Sequence, residues 1–192
     1  MAGRQAKLIA PAALQRVLRH VRSHADPIRS RAIVLLSVKA GLRAAEIAKL
    51  EWPMVIDADG RVSDSMAIED RIAKKKSGRR IPIHPELKLT LIRLRRRSRA
   101  DHGPIIRSRR GGHMKPNSIV NWFIDLFAEL GLDGCSSHSG RRTFVTMAAR
   151  LTHKAGGSIR DVQLLAGHRS IETTQRYIEG DSRAQHRLVA LL

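Results

Sequence analysis

Apolar residues recur along this chain mostly at intervals of three and four, the spacing of helices that bury one face. Leu14, Val17, Leu18 and Val21 keep that spacing with Arg16, Arg19 and Arg22 between them, which predicts an amphipathic helix over 11–23. "SRAIVLLSVKAG" is apolar almost all round and predicts a more deeply buried helix, stopped near Gly41. "RAAEIAKL" starts another helix, and Leu87, Leu91 and Leu94 mark one that ends in the basic run Arg95-Arg96-Arg97. Ile119, Val120, Phe123, Ile124 and Phe127 predict a strongly amphipathic helix, capped by Asn117 and closed by Gly131. Three further helical segments follow at 138–151, 158–166 and 170–178, with Ser158 and Ser170 as N-caps. "SRAQHRLVALL" reads as a final amphipathic tail.

The period changes between residues 52 and 84. "MVIDADGRV" carries a turn signal at Asp59-Gly60, and "SMAIEDRIAKKKSGRRIPI" holds two strand-like runs around Ser77-Gly78. A small antiparallel sheet belongs there, and "GPIIRSRRGGHMKP" is a loop with a short extended piece. The expected class is therefore mostly α with a small antiparallel β-sheet (α+β). One domain over 1–182 is followed by the tail over 183–192.

Charge changes the picture more than the remaining composition does. The 192 residues include 36 Lys plus Arg against 17 Asp plus Glu, a net +19. Such an excess repels itself unless a polyanion is near, which puts nucleic acid first among partners. A membrane surface fits poorly, because no apolar run approaches the roughly 20 residues that span a bilayer. The start "MAGRQAKLIAPAALQ" lacks the apolar core of a signal peptide, and a single cysteine, Cys135, excludes an internal disulfide and fits a reducing cytoplasm.

Several familiar chemistries drop out. The chain has no G-x-x-x-x-G-K-[ST] phosphate loop, no G-x-G-x-x-G turn and no G-x-S-x-G elbow. His20 and His24 stand four apart on the first expected helix, a spacing that can hold a metal. Asp26 is the only nearby third ligand in sequence, and Arg19 and Arg22 would repel a cation, so the pair reads as part of a solvated basic face. What remains is a spread of cations and imidazoles. "GLRAAEIAKL" places Arg43 after a glycine stop with Glu46 three residues on. "SSHSGRRTFVT" puts His138 and Arg141 on one face of a helix start, where positive charge is disfavoured unless an anion sits there. "KKKSGRR" is a basic hairpin tip, and "AGHRSIETTQRYIEG" holds the chain's only tyrosine. Each feature alone has an ordinary explanation as a surface pair, a basic helix start or a solvated turn.

In this order, "GLRAAE", "KSGRRIPI", "HSGRRTF" and "AGHRSIETTQRYIEG" resemble the signatures of tyrosine recombinases, the phage-integrase family. The last is the most specific: Gly167, His168, Ser170, Ile171, Thr173, Thr174 and Tyr177 stand where the family has them. The resemblance implies that fold's catalytic domain. It also implies a site-specific recombinase that cleaves and rejoins duplex DNA through a 3′-phosphotyrosine, with no metal or cofactor. Arg43 and Arg141 are then the arginines that grip the scissile phosphate, with His138 and His168 beside it. Lys76 protonates the leaving 5′-oxygen, with Lys74 and Lys75 adjacent to it. Tyr177 is the nucleophile, and Glu46 orients the first arginine. Lys74, Lys75, Arg79, Arg80 and Arg142 are expected to contact DNA. Gly140 departs from the H-x-L-R form, which has leucine there, and Arg142 stands where many members have histidine. Many members also carry an N-terminal DNA-clamping domain, for which this chain starts too late, so it resembles small stand-alone members or an isolated catalytic domain. The resemblance further implies a homotetramer on DNA, a monomer or weak oligomer when free, and a cytoplasmic, nucleoid-associated location. A type IB topoisomerase-like nicking and sealing enzyme, or an inactive DNA-binding module, are the alternatives.

Overall fold

The computed structural model describes residues 6–177 and 189–190. The tail expected over 183–192, residues 189 and 190 apart, lies outside them, as does residue 178 at the end of the last predicted helix. Helix α1 (Pro11–His20) tightens into a 3₁₀ turn over Val21–Ser23, so the predicted helix over 11–23 is two pieces. Helix α2 (Pro27–Ala40) begins where the Asp26 carboxylate accepts the Arg29 backbone N–H at 3.0 Å. It ends at Gly41, whose φ of +64° closes it in the left-handed region. Ile33, Val34, Leu35 and Leu36 are all buried along it, so α2 is the central rod.

Helix α3 (Ala44–Lys49) is short and packs on α5 (Pro116–Glu129), whose Ile119, Phe123, Leu126 and Phe127 face the core. Asn117 is not the cap expected for α5. The helix starts one residue earlier, at Pro116, because proline's preset φ and missing N–H suit the first turn. Between these helices, β1 (Ser65–Ile68) and β2 (Arg79–Pro82) form a two-stranded antiparallel sheet, with Met66 opposite Ile81 and Ile68 opposite Arg79. Helix α4 (Pro85–Ser98) then returns along α2 through buried Leu87, Leu91 and Leu94.

Helix α6 (Ser139–Leu151) crosses the other side of α2. Gly140 explains itself at that crossing. A Cβ there would stand 2.1 Å from Ser37 Oγ and 3.1 Å from a Val38 methyl, so a leucine has no room. Helices α7 (Ile159–Ala166) and α8 (Ile171–Gln175) pack on each other and complete the fold. Ser158 caps α7 as expected, in a box with Asp161, whose carboxylate accepts the Ser158 backbone N–H at 2.7 Å. Val145, Val162 and Ala166 form a small second core apart from the main one, with Tyr177 packed against it. Among the described residues no helix is long and apolar enough to cross a membrane.

The α2–α6 contact generates a prediction. Gly140→Ala is expected to destabilise the chain by about 1–3 kcal/mol through overpacking, measured by urea denaturation. Adding Ser37→Ala removes the closest contact and is expected to recover part of that loss; additive losses would show that the two positions do not press on each other.

Candidate active site

Five separate chain segments converge on one cleft of about 420 Å³, lined by Arg43, Lys74, His138, Arg141, His168 and Tyr177, among others. A larger hollow of about 630 Å³ beside α4 is lined by Arg61, Lys88, Arg95 and Arg96 but holds no imidazole and no tyrosine. The first cleft is where the tyrosine, imidazoles and cations meet.

The cleft is organised around a buried carboxylate. Glu46, on α3, is 1% exposed and accepts both terminal nitrogens of Arg79, at 3.1 and 3.0 Å. The same carboxylate accepts the Arg43 guanidinium at 2.9 Å and the Arg43 backbone N–H at 2.9 Å. Burial alone would raise the Glu46 carboxyl, but the hydrogen bonds and charges of Arg79, and then of Arg43, outweigh it and hold the group below its ordinary value. Arg79 also donates Nε to the Leu165 carbonyl at 3.0 Å. Its side chain is 4% exposed, so the expected DNA contact at Arg79 gives way to an internal tie. The pleat explains this. Arg79 shares a face with Ile81 two residues on, and that face points inward, while Arg80 points out.

Arg141 lies in the first turn of α6 and is itself buried. It donates to the Gly41 carbonyl at 2.7 Å and to the Ala166 carbonyl at 2.6 Å. These are the C-terminal ends of α2 and α7, and both present partial negative charge. Two of the five guanidinium donors are spent there, and the remainder of the fork is available to the cleft that Arg141 lines. Burial, then the neighbouring charges of Arg43 and Arg79, push Arg141 down to about 9 even though Glu46 counteracts them. Three guanidiniums facing one carboxylate leave positive charge in excess. A phosphodiester is an anion that would relieve it.

His168 follows the left-handed Gly167 at the end of α7. Its Nδ1 meets Thr174 Oγ1 at 3.0 Å, which leaves Nε2 as the remaining ring nitrogen. Burial, and then Arg141, Arg43 and Arg79, push it down to about 4, so the ring is neutral at neutral pH. It stacks on Tyr177 with centroids 5.5 Å apart and planes 24° apart. Tyr177 sits just past α8, where its backbone N–H donates to the Thr174 carbonyl at 3.0 Å and its own carbonyl accepts Thr146 Oγ1 at 3.4 Å. His138 is the exposed N-cap residue of α6.

The three hairpin lysines are placed differently. Lys74 lines the cleft and Lys76 is not among the lining residues. Lys75 and Lys76 form the turn, with φ of +59° and +52°. Arg169 holds that turn against the His168 loop by donating to the Lys75 carbonyl at 2.5 Å. Two further residues of the cleft were not singled out by sequence, Ala6 and Ser136. Of the other expected DNA contacts, Lys75 and Arg80 are exposed. Arg142 lines the cleft and donates to the Ala6 carbonyl at 2.5 Å.

Comparison with known proteins follows this geometry. The Phage integrase family matches residues 7–183. Tyrosine recombinase XerC of Myxococcus xanthus is 31% identical over 164 residues, which cover 79% of this chain and 50% of that protein. Tyrosine recombinase XerA of Pyrococcus furiosus is 33% identical over 156 residues, covering 79% of this chain and 50% of that one. This chain therefore spans about half the length of those curated relatives. Among solved structures, a XerA recombinase crystal structure superposes with a TM-score of 0.74 at 20% identity, over 100% of this chain and 65% of that one. A lambda integrase dimer bound to a COC′ core site superposes with a TM-score of 0.73 at 17% identity, over 93% of this chain and 49% of that one. With a cleft built from the residues its signatures single out and a family match over nearly its whole length, this chain belongs to the phage integrase family.

Proposed function

We propose that this chain is the catalytic domain of a site-specific DNA recombinase that cleaves and rejoins duplex DNA through a 3′-phosphotyrosine at Tyr177. The observation that carries the reading is the convergence of Tyr177, two imidazoles, Lys74 and three guanidiniums on one cleft with positive charge in excess. Arg43 and Arg141 bind the non-bridging oxygens of the scissile phosphate, each already fixed by a carboxylate or by carbonyls, so little reorganisation accompanies the reaction. The Tyr177 oxygen attacks phosphorus, the phosphotyrosine bond forms, and the bond to the 5′-oxygen breaks. Lys74 gives that oxygen its proton. His168, held near 4, is too weak a base to take the phenolic proton; its neutral ring donates to a phosphate oxygen. His138, exposed at the cleft, accepts the proton. The phosphotyrosine keeps the energy of the broken ester, so rejoining by the reverse steps needs no nucleotide.

Duplex DNA is the partner that fits the +19 charge. Lys75 and Arg80, exposed on the hairpin, and Arg142 at the cleft serve as backbone contacts. Exchange between two duplexes takes four cleavages, so four copies assemble on DNA and act in the cytoplasm, at the nucleoid. That the lambda integrase neighbour was solved as a dimer bound to a core site supports DNA as partner.

The test is incubation with a duplex carrying a nick beside the cleavage point, so that the short product diffuses away and the covalent complex is trapped. Tyr177→Phe is expected to keep DNA affinity and lose the adduct; an adduct that persists, or that maps to another residue, overturns the reading. Lys74→Ala is expected to slow cleavage by at least about 100-fold and Lys76→Ala by less than about threefold; the reverse ranking returns the proton donor to Lys76. Because His168 charges only below about pH 4, the acid limb of the cleavage rate at subsaturating DNA is expected to be the same in wild type and in His168→Asn. An acid limb that vanishes in His168→Asn would assign the proton acceptor to His168.

A further inference from the structure

We propose that His20, His24 and Glu129 form a binding site for one divalent transition metal of the zinc class, which fastens the N-terminal helix to α5. The sequence pairs His20 with His24 and offers Asp26 as the third group, but the fold assigns Asp26 elsewhere. Its carboxylate caps α2 and accepts Arg97 at 2.5 Å. The third group comes from 109 residues away in sequence: Glu129 Oε2 lies 2.8 Å from His20 Nε2, at the end of α5. One donor atom from each of the three residues falls within a 4.8 Å spread.

The local arrangement suits ligation. Nδ1 of His24 meets Ser30 Oγ at 3.1 Å, and Ser30 is 2% exposed, so a fixed hydroxyl orients the ring and leaves Nε2 for a metal. The His20 and His24 rings are 5.4 Å apart, edge to face, and Trp122 closes on His24 at 6.0 Å. Two imidazoles and a carboxylate are a donor set for zinc, with a water completing the tetrahedron. Tetrahedral bonds of about 2.0–2.1 Å need donors about 3.3 Å apart. The 4.8 Å spread closes to that by side-chain rotation, since none of the three side chains is fully buried.

The arginines that argue against a cation in the sequence point elsewhere. Arg19 and Arg22 line a different groove, opposite Arg31 and Glu86. Arg16 donates to the Leu130 carbonyl at 3.0 Å, one residue past Glu129. None of the three ligands lines the cleft of Tyr177, so the ion has a structural role and takes no part in strand cleavage.

The experiment is calorimetric titration of the metal-free full chain with zinc chloride at about pH 7.5, where imidazoles are free to ligate. One ion per chain is expected, with a Kd of about 10 µM or tighter. His24→Ala and Glu129→Gln are each expected to weaken it by at least about tenfold, whereas His153→Ala, an exposed histidine elsewhere, leaves it unchanged. Because a variant could lose structure, nickel titration of the wild type gives a second readout. Trp122 beside His24 is expected to be quenched saturably, and Trp122→Phe to abolish that change while the buried Trp52 stays constant. Absence of binding heat, no saturable quench, or binding that survives in the His24→Ala/Glu129→Gln double variant overturns the site and leaves only a hydrogen-bonded His–Glu pair.

Discussion

Arg43, Arg79 and Arg141 act on one another strongly enough that two of them depress the third, and all three are wholly or largely withdrawn from solvent. The Glu46 carboxylate does most to make that crowding tolerable. It is fully buried and grips two guanidiniums at once, so its loss would leave uncompensated cations in the interior, at a cost of about 3–5 kcal/mol for a broken buried pair. The same ties join three parts of the chain. Glu46 belongs to α3, Arg79 to β2, and the Leu165 carbonyl that Arg79 also reaches belongs to α7. The hairpin is thereby set against the segment that carries His168, and the cleft's cations are held in place by the chain itself.

One carboxylate neutralises only part of that charge. The rest is met by helix ends, the Gly41 and Ala166 carbonyls that hold Arg141. Neutral dipoles fix a cation in place without cancelling it. The cleft therefore stays electropositive with Arg141 held in place, the condition under which aligned donors stabilise developing negative charge.

Much of this was legible in the residues. The helices follow from apolar spacing, and α2 was recognisable as buried because its apolar residues run all round. Arg43, Arg141, His168 and Tyr177 stand in recognisable signatures, and the fold brings them to one cleft. Which of the three consecutive lysines lines the cleft was not legible, because they differ only in where the turn falls, and the turn is set by backbone conformation at Lys75 and Lys76. Arg79 could have been read. Strand alternation puts it on the face of Ile81, but the basic run around it suggested solvent. Glu129 could not be read beside His20, since nothing in local sequence brings the end of α5 to the end of α1. Asn117 was a plausible cap that lost to the proline before it.

Gly167 stands in the signature that also holds His168 and Tyr177, and its place there has two causes unrelated to chemistry. Its φ is +63°, and a Cβ would come within 2.8 Å of Arg79 Cδ. The glycine thus makes room for the very side chain that neutralises Glu46. Positions 79 and 167 of this chain are therefore tied asymmetrically. A smaller residue at 79 would leave the turn's need for glycine at 167 intact, whereas a side chain at 167 would strain the turn and displace the arginine together. What looks like a signature of catalysis is partly a record of how tightly a hairpin and a helix end are stacked.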